Sequence, residues 1–361
     1  MDYYPVDQCL QEVFKRLIPM TDAQTRRLSQ CCLAVLLAGE PGLSKLARHL
    51  EHSTQTASRV QMIRRLLDAS YLCWDYVYKP FIQHLLASYQ AEQFHLIMDR
   101  TDLVDHHSDL LCLSLHFHRR AIPIAWTLLA NKMSGFIEQK DLIKRCVPLI
   151  PPDRSVIFHG DNEFGGVPTM KYIRDLGWDF ILGQSAKHYY RYSPDDIPQT
   201  MKTIPVTKTR AAYLRNIDIT KKHWYGPVNL FAFYHPVYHR NHRKQDIRYY
   251  VTSLPIASQL RRVGQRRWGI ECYFKDLKSA GWQLPLSRLR SPKRYESLLI
   301  LLNLAYSWAT SLGRWLSKTS QRYLVDSKLL RSLSLFRIGW DWLVHAFRTN
   351  QLCPVLTTLY R

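Results

Sequence analysis

The chain has 361 residues, with 50 Lys and Arg against 29 Asp and Glu, a formal net charge of +21 at pH 7. An excess of this size calls for a polyanionic partner. Hydrophobic residues make up 46% and aromatics 12%, which supports a packed core and excludes wholesale disorder, while 14 Gly and 18 Pro exclude collagen-like or low-complexity protein.

The segment Met1 to Leu10 lacks the basic and apolar regions of a secretory signal, so a cytoplasmic protein is expected. The most apolar stretch, Leu298 to Leu312, carries Asn303, Ser307 and Thr310. It is too short and too polar to cross about 30 Å of hydrocarbon and reads as a buried helix, with no membrane partner. Eight cysteines form no CxxC pair and read as reduced core filler. His116 and His118 sit two apart on a strand, without the partner set of a zinc site.

From Pro5 to about Gln90 apolar residues recur at three and four, as in Leu28, Cys31, Cys32, Val35 and Leu36, with a stop signal at Gly39-Glu40-Pro41-Gly42. Residues 1–90 are therefore expected to form a helical N-terminal DNA-binding domain. Within it, Leu43 to Leu67 reads as two short helices around a polar break from His52 to Thr56, with Arg59, Arg64 and Arg65 on the second. That spacing suits a helix-turn-helix and equally suits a plain helical hairpin with a solvated basic face.

At Gln93 the period changes. His95 to Asp99 is a short apolar run ending in an acid, and two more strand-like segments follow, Asp109 to Arg119 and Ala121 to Leu129, predicting a three-strand meander. A helix around Gln139 to Cys146, a strand over Ser155 to Asp161, a helix through Met170 to Gly177 and a strand over Trp178 to Gln184 complete residues 91–186. The order βββαβαβ predicts a mixed α/β sheet rather than a doubly wound Rossmann fold. Residues 187–255 turn tyrosine-rich, alternating and turn-punctuated, an all-β insertion with Arg240 and His242 at its basic tip. Helical periodicity returns over 256–316, and 317–361 are expected to form a C-terminal helical region.

Three acids stand out by position: Asp99 and Asp161 close strands, and Glu271 lies on the helix after the insertion. Converging carboxylates are the hard oxygen ligands that Mg²⁺ prefers, and a pair of ions can activate water and stabilise the leaving oxygen of a phosphodiester. A single acid at a strand end is also a common solvated loop residue. In RRWGIECYFKDLK a helix turning 100° per residue puts Arg267, Glu271, Lys275 and Lys278 on one face, with Trp268 beside them as a stacking platform for a base. The plainer alternative is an exposed helix with ion pairs worth about 0.3 to 0.5 kcal/mol each. Arg262 and Arg266 add to the cations around that helix and suit phosphate binding.

These motifs resemble the bacterial insertion-sequence transposases of the DDE type, which carry a Y-x2-R-x3-E-x6-K signature on a ribonuclease H-like core interrupted by a β domain. IMDRTD matches their first acid with Asp99, FHGDNEFGG the second with Asp161, and RRWGIECYFKDLK the third part, with Arg267, Glu271 and Lys278 at the signature spacing. The signature's tyrosine position holds Gly264. The resemblance implies that Asp99, Asp161 and Glu271 hold two Mg²⁺ ions, for which Mn²⁺ substitutes, and that Arg267 and Lys278 grip phosphates at the element's end. It further implies double-stranded DNA as partner, both element ends and target, and a homodimer in the synaptic complex. The expected activity is cutting of element ends followed by strand transfer. Two other readings share the pattern: a metal-dependent nuclease on the same core, and a decayed or domesticated DNA-binding protein, which Gly264 favours.

Overall fold

The computed structural model describes residues 2–50, 53–103, 108–129, 134–238, 243–256 and 259–357. The tip of the insertion, with Arg240 and His242, and His52 of the polar break lie outside the described residues. After a short strand β1 (Tyr3–Tyr4) come five helices: α1 (Val6–Leu17), α2 (Asp22–Ala38), α3 (Leu43–Arg48), α4 (Thr56–Asp68) and α5 (Lys79–Ser88), the last preceded by a π-helical turn at Trp74–Tyr78. The Thr21 hydroxyl accepts from the Gln24 amide while the Gln24 side chain accepts from Thr21, a reciprocal cap that starts α2, and Gly39 at φ 68° ends it. The periodic apolar residues of α2 are buried, and α3 and α4 form the short helix pair expected from the sequence.

Among the described residues one sheet of ten strands runs in the order β4-β3-β2-β5-β6-β11-β10-β9-β7-β8. Its first part is β2 (Gln93–Leu103), β3 (Ser108–Phe117) and β4 (Arg120–Leu129), paired antiparallel, with β5 (Ser155–Gly160) and β6 (Asp179–Gln184) added parallel to β2. The parallel additions need crossovers, which α6 (Phe136–Cys146) and α7 (Val167–Asp175) provide. In β3, Leu110, Leu111, Cys112, Leu113 and Leu115 are all buried, the unbroken apolar run of a strand covered on both faces.

The insertion comprises β7 (Tyr189–Arg191), β8 (Gln199–Thr200), β9 (Ala212–Ile219), β10 (Tyr225–Tyr238) and β11 (Arg243–Thr252). It continues the core sheet rather than forming a sheet of its own: β11 pairs antiparallel with β6, Tyr250 opposite Gly183 and Val251 opposite Leu182. Strand alternation alone left open where this edge would dock, because pairing between distant strands has no local signature.

After the insertion come α8 (Leu260–Gly264), a 3₁₀ turn at Gln265–Arg267, α9 (Trp268–Lys275) and a π-helical turn at Asp276–Ala280. The single straight helix expected over Arg267 to Lys278 is thus three joined pieces. Next is α10 (Pro292–Leu316), buried almost throughout from Tyr295 to Gly313, and α11 (Leu335–Arg348) packs along it. Asn303 within α10 accepts a hydrogen bond from the Tyr273 hydroxyl at 2.7 Å. No helix among the described residues is long and apolar enough to cross a membrane. A last strand, β12 (Cys353–Pro354), pairs with β1 and ties the two ends of the chain together.

A candidate active site where two adjacent strands meet a cationic helix

Ile97 of β2 pairs with His159 of β5 in the parallel ladder, so Asp99 and Asp161, each two residues further on, stand at the same level. Asp99 is buried. Its Oδ1 accepts from the Arg100 amide at 2.8 Å, and its Oδ2 accepts from Arg267 Nη1 at 2.9 Å. Burial pushes this carboxyl up to about 7; Arg267 and the Arg100 amide oppose the rise, whereas the charges of Asp161 and Glu271 add to it. Asp161 follows β5 directly, and its Oδ1 accepts from the Glu163 amide at 2.8 Å.

The neighbours of the two acids are joined behind them. Arg100 Nε donates to both carboxylate oxygens of Glu163 at 3.0 Å, and its other arm pairs with buried Asp109. Ser134 completes the knot, donating to Glu163 from its amide at 3.2 Å and its hydroxyl at 2.6 Å. Glu163 is therefore committed to structure, and the strand carrying Asp99 is fastened to the loop carrying Asp161.

Glu271 reaches this place because α9 lies close on the sheet. A Cβ at Gly269 would come within 2.7 Å of the Arg120 carbonyl oxygen, so any larger residue would push the start of α9 away. At the far end Arg120 Nη1 bonds Asp276 Oδ2 at 2.6 Å. Arg120 opens β4 after a tight turn in which His118 and Arg119 both adopt positive φ, 48° and 68°. Such a turn is usually built from Asn and Gly, and here it presents Arg119 to the site.

Arg267 is the centre of the arrangement. Its guanidinium bonds Asp99 on one side and Glu271 on the other, and it is largely buried. Among the described residues no three His, Cys, Asp or Glu side chains are placed to hold a metal, and this arginine lies between two of the acids. Lys278 does not reach Glu271: the π-turn after Lys275 breaks the α-helical phase, and its ammonium bonds Asp102 Oδ1 at 2.8 Å and the Asp102 carbonyl at 3.2 Å. Lys275 and Arg262 are exposed, Arg266 is half-buried, and Trp268 is 61% exposed.

Two clefts open on either side of Arg267. The larger, about 610 Å³, is lined by Glu271, Trp268, Arg262, Arg266, Arg119 and Phe233 among others; the smaller, about 230 Å³, contains Asp161, Asn162 and Gln184. Arg248, Tyr250 and Arg267 line both. Arg248, Tyr250 and Phe233 were not among the residues expected at the site. The available signal was the alternation in Ile247 to Val251, which puts Arg248 and Tyr250 on one face of β11. The rings of Phe231, Phe233 and Tyr250 lie nearly parallel, Phe231 and Tyr250 with centroids 5.2 Å apart, and Arg261 covers Phe233 at 4.8 Å. Gly264 is buried against this stack: a Cβ there would meet Phe231 Cζ at 3.4 Å and Ile181 Cγ2 at 3.7 Å, so a tyrosine would need the stack to move.

Beneath the acids His95 Nδ1 and His159 Nε2 are 2.9 Å apart, with His116 nearby. Burial holds all three imidazoles neutral, His95 down to about 3 and His116 to about 4.

Asp99 inside β2, Asp161 just past β5, Glu271 on a facing helix and several surrounding arginines make up the site. Residues 136–308 match the family described as transposase DDE domain, a span that includes Asp161, Arg267, Glu271 and Lys278 and begins after Asp99. Over that span, 173 of the 361 residues, the chain is similar to the transposase DDE domain. A comparison with curated proteins gives no match. Among solved structures, the cryo-EM structure of a piggyBac transposase synaptic complex with hairpin DNA aligns at a TM-score of 0.46 and 14% identity, over 98% of this chain and 79% of that chain.

Proposed function

We propose that the protein is a DDE-type transposase that cuts the ends of an insertion element and joins them to target DNA, with Asp99, Asp161 and Glu271 as its catalytic acids on a ribonuclease H-like core. The observation that carries the proposal is the meeting of Asp99 and Asp161, level on adjacent parallel strands, with Glu271 across the Arg267 guanidinium. A meander continued by two parallel strands supports the core assignment.

The donor chemistry suits divalent cations. Three carboxylates are hard oxygen ligands, and buried Asp99 needs a positive partner to ionise at neutral pH, a need that Arg267 meets here. A pair of Mg²⁺ ions, or Mn²⁺ in their place, would supply activation of the attacking oxygen and stabilisation of the leaving one. The chain's own groups do the rest. Arg267 turns from the acids to a phosphate when cations occupy the site. Lys278 exchanges its open pair with Asp102, worth at most about 1 kcal/mol, for a phosphate of the element's end. Trp268 stacks on a base, and Lys275, Arg266 and Arg262 neutralise the backbone beside it. Two ends must be held together, which calls for a homodimer.

The test is Mg²⁺-dependent cleavage of a plasmid carrying the gene's own flanks, wild type against Glu271→Gln. Cuts at the flank boundaries should fall by roughly a thousandfold or more in the variant, the loss of several kcal/mol of transition-state stabilisation. Scattered cuts without end preference would instead identify a nuclease. A folded wild type that binds the flanks and never cuts them would identify a recruited DNA-binding protein.

A further inference from the structure

A second basic site lies away from the acids. Between the pair α3 and α4 and the segment that follows the catalytic helix, a groove of about 670 Å³ is lined on one wall by Arg64 and by Lys45 paired with Glu40 at 3.9 Å, and on the other by Arg288, Arg290 and Arg294. Arg64, Arg288 and Arg290 are exposed, and among the described residues no carboxylate is paired with any of them. Arg288 sits at φ 53°, a left-handed backbone that arginine adopts only under constraint, and such constraint gathers at functional sites.

The walls are locked to each other. Arg294 makes a two-pronged bond to Asp68 at the end of α4, at 2.7 and 2.8 Å, and Lys293 reaches the Leu72 carbonyl at 3.1 Å. The groove is thus preformed, and one of its walls begins within about twenty residues of Glu271.

Its lining also contrasts with the cleft at Glu271. That cleft contains Trp268, Phe233 and Tyr250, whereas no aromatic side chain lines the groove. Unstacked bases need aromatic platforms, while a duplex backbone needs only cations and donors. We propose that this composite groove grips the phosphate backbone of duplex DNA, with the N-terminal helix pair and the Arg288–Arg290 segment holding one duplex between them. The proposal rests on the reading that the protein acts on DNA.

The experiment measures binding of a fluorescent 30-base-pair duplex made from the gene's flank, and of its single strand, by anisotropy over a salt series. Arg64→Ala and Arg290→Ala should each weaken duplex binding about threefold or more at 0.1 M salt and flatten the log–log salt slope by about 0.9, with the double variant adding the two. Arg290→Lys should restore the slope, and Lys144→Ala, on the exposed face of α6, should leave it unchanged. Equal loss in Lys144→Ala, equal loss on the single strand, or wild-type slopes in the groove variants would each overturn the proposal. Duplex binding is read without cleavage, so a groove that fails here and a cleavage reading that fails in the plasmid assay are separate results.

Discussion

The two sides of Arg267 are built on opposite principles. On the acid side, Asp99, Asp161 and Glu271 converge on a buried or half-buried guanidinium, and Arg100, Glu163, Asp109 and Ser134 interlock behind them. On the insertion side, Phe231, Phe233 and Tyr250 form an aromatic stack edged by arginines and open to a cleft. Charges removed from water hold each other in fixed places and depend on protonation; stacked rings need no counter-charge and are indifferent to pH. The first side is suited to position reacting groups, the second to receive a ligand.

The sharpest way to break this contrast is Arg267→Ala. It leaves Asp99 and Glu271 without their shared cation, and metal-free protein at pH 8 should lose about 3 to 5 kcal/mol in a urea titration. The loss should shrink at pH 6, where Asp99 takes up a proton. Tyr250→Ala should cost about 1 kcal/mol at either pH. Equal losses at both pH values for Arg267→Ala would show that the acids do not depend on it.

Next in size is Gly269→Ala, which sets a methyl against the Arg120 carbonyl and should destabilise by about 1 to 3 kcal/mol while lowering cleavage more than DNA binding. Gly264→Ala, whose added carbon meets only ordinary contacts, should be near neutral. Matching effects at the two glycines would dispose of the close approach of α9 as the reason Glu271 reaches the strands.

A further test is the pH profile of the metal-free wild type. Asp99 ionises near 4 when unfolded and near 7 when folded, so the folded state holds the proton more tightly between those values. Stability from this group is therefore full below about pH 4, falls as pH rises towards 7, and is level above. Asp99→Asn should remove that slope, and Mg²⁺ should raise the urea midpoint more at pH 8 than at pH 5.5, because the ion binds the carboxylate form. A midpoint shift by Mg²⁺ that ignores pH would place the ion elsewhere.

Much of the architecture was legible in the chain. Apolar spacing gave the N-terminal helices, and short apolar runs gave the strands beside which the acids fall, although β2 runs four residues past Asp99. The signature around Arg267 gave the helix with Glu271, and composition alone called for a polyanion. Other features were not legible. The i,i+4 spacing put Arg267 beside Glu271, and nothing in it showed that the same guanidinium would reach Asp99, 168 positions earlier. The π-turn that carries Lys278 to Asp102 has no simple sequence mark. Arg64 and Arg290 stand 226 positions apart, and no local pattern announces that they face one groove.

The division follows from what each level of physics can see. Periodicity, turn residues and charge are properties of neighbouring residues, so the sequence by itself determined which segments are helix or strand, which of them carry the acids, and the net charge of +21. The edge joining β11 to β6, the arginine set between two acids and the groove shared by distant helices depend on contacts between remote segments. Their energies are decided by burial and close packing once the sheet has assembled, and that only the tertiary structure could supply.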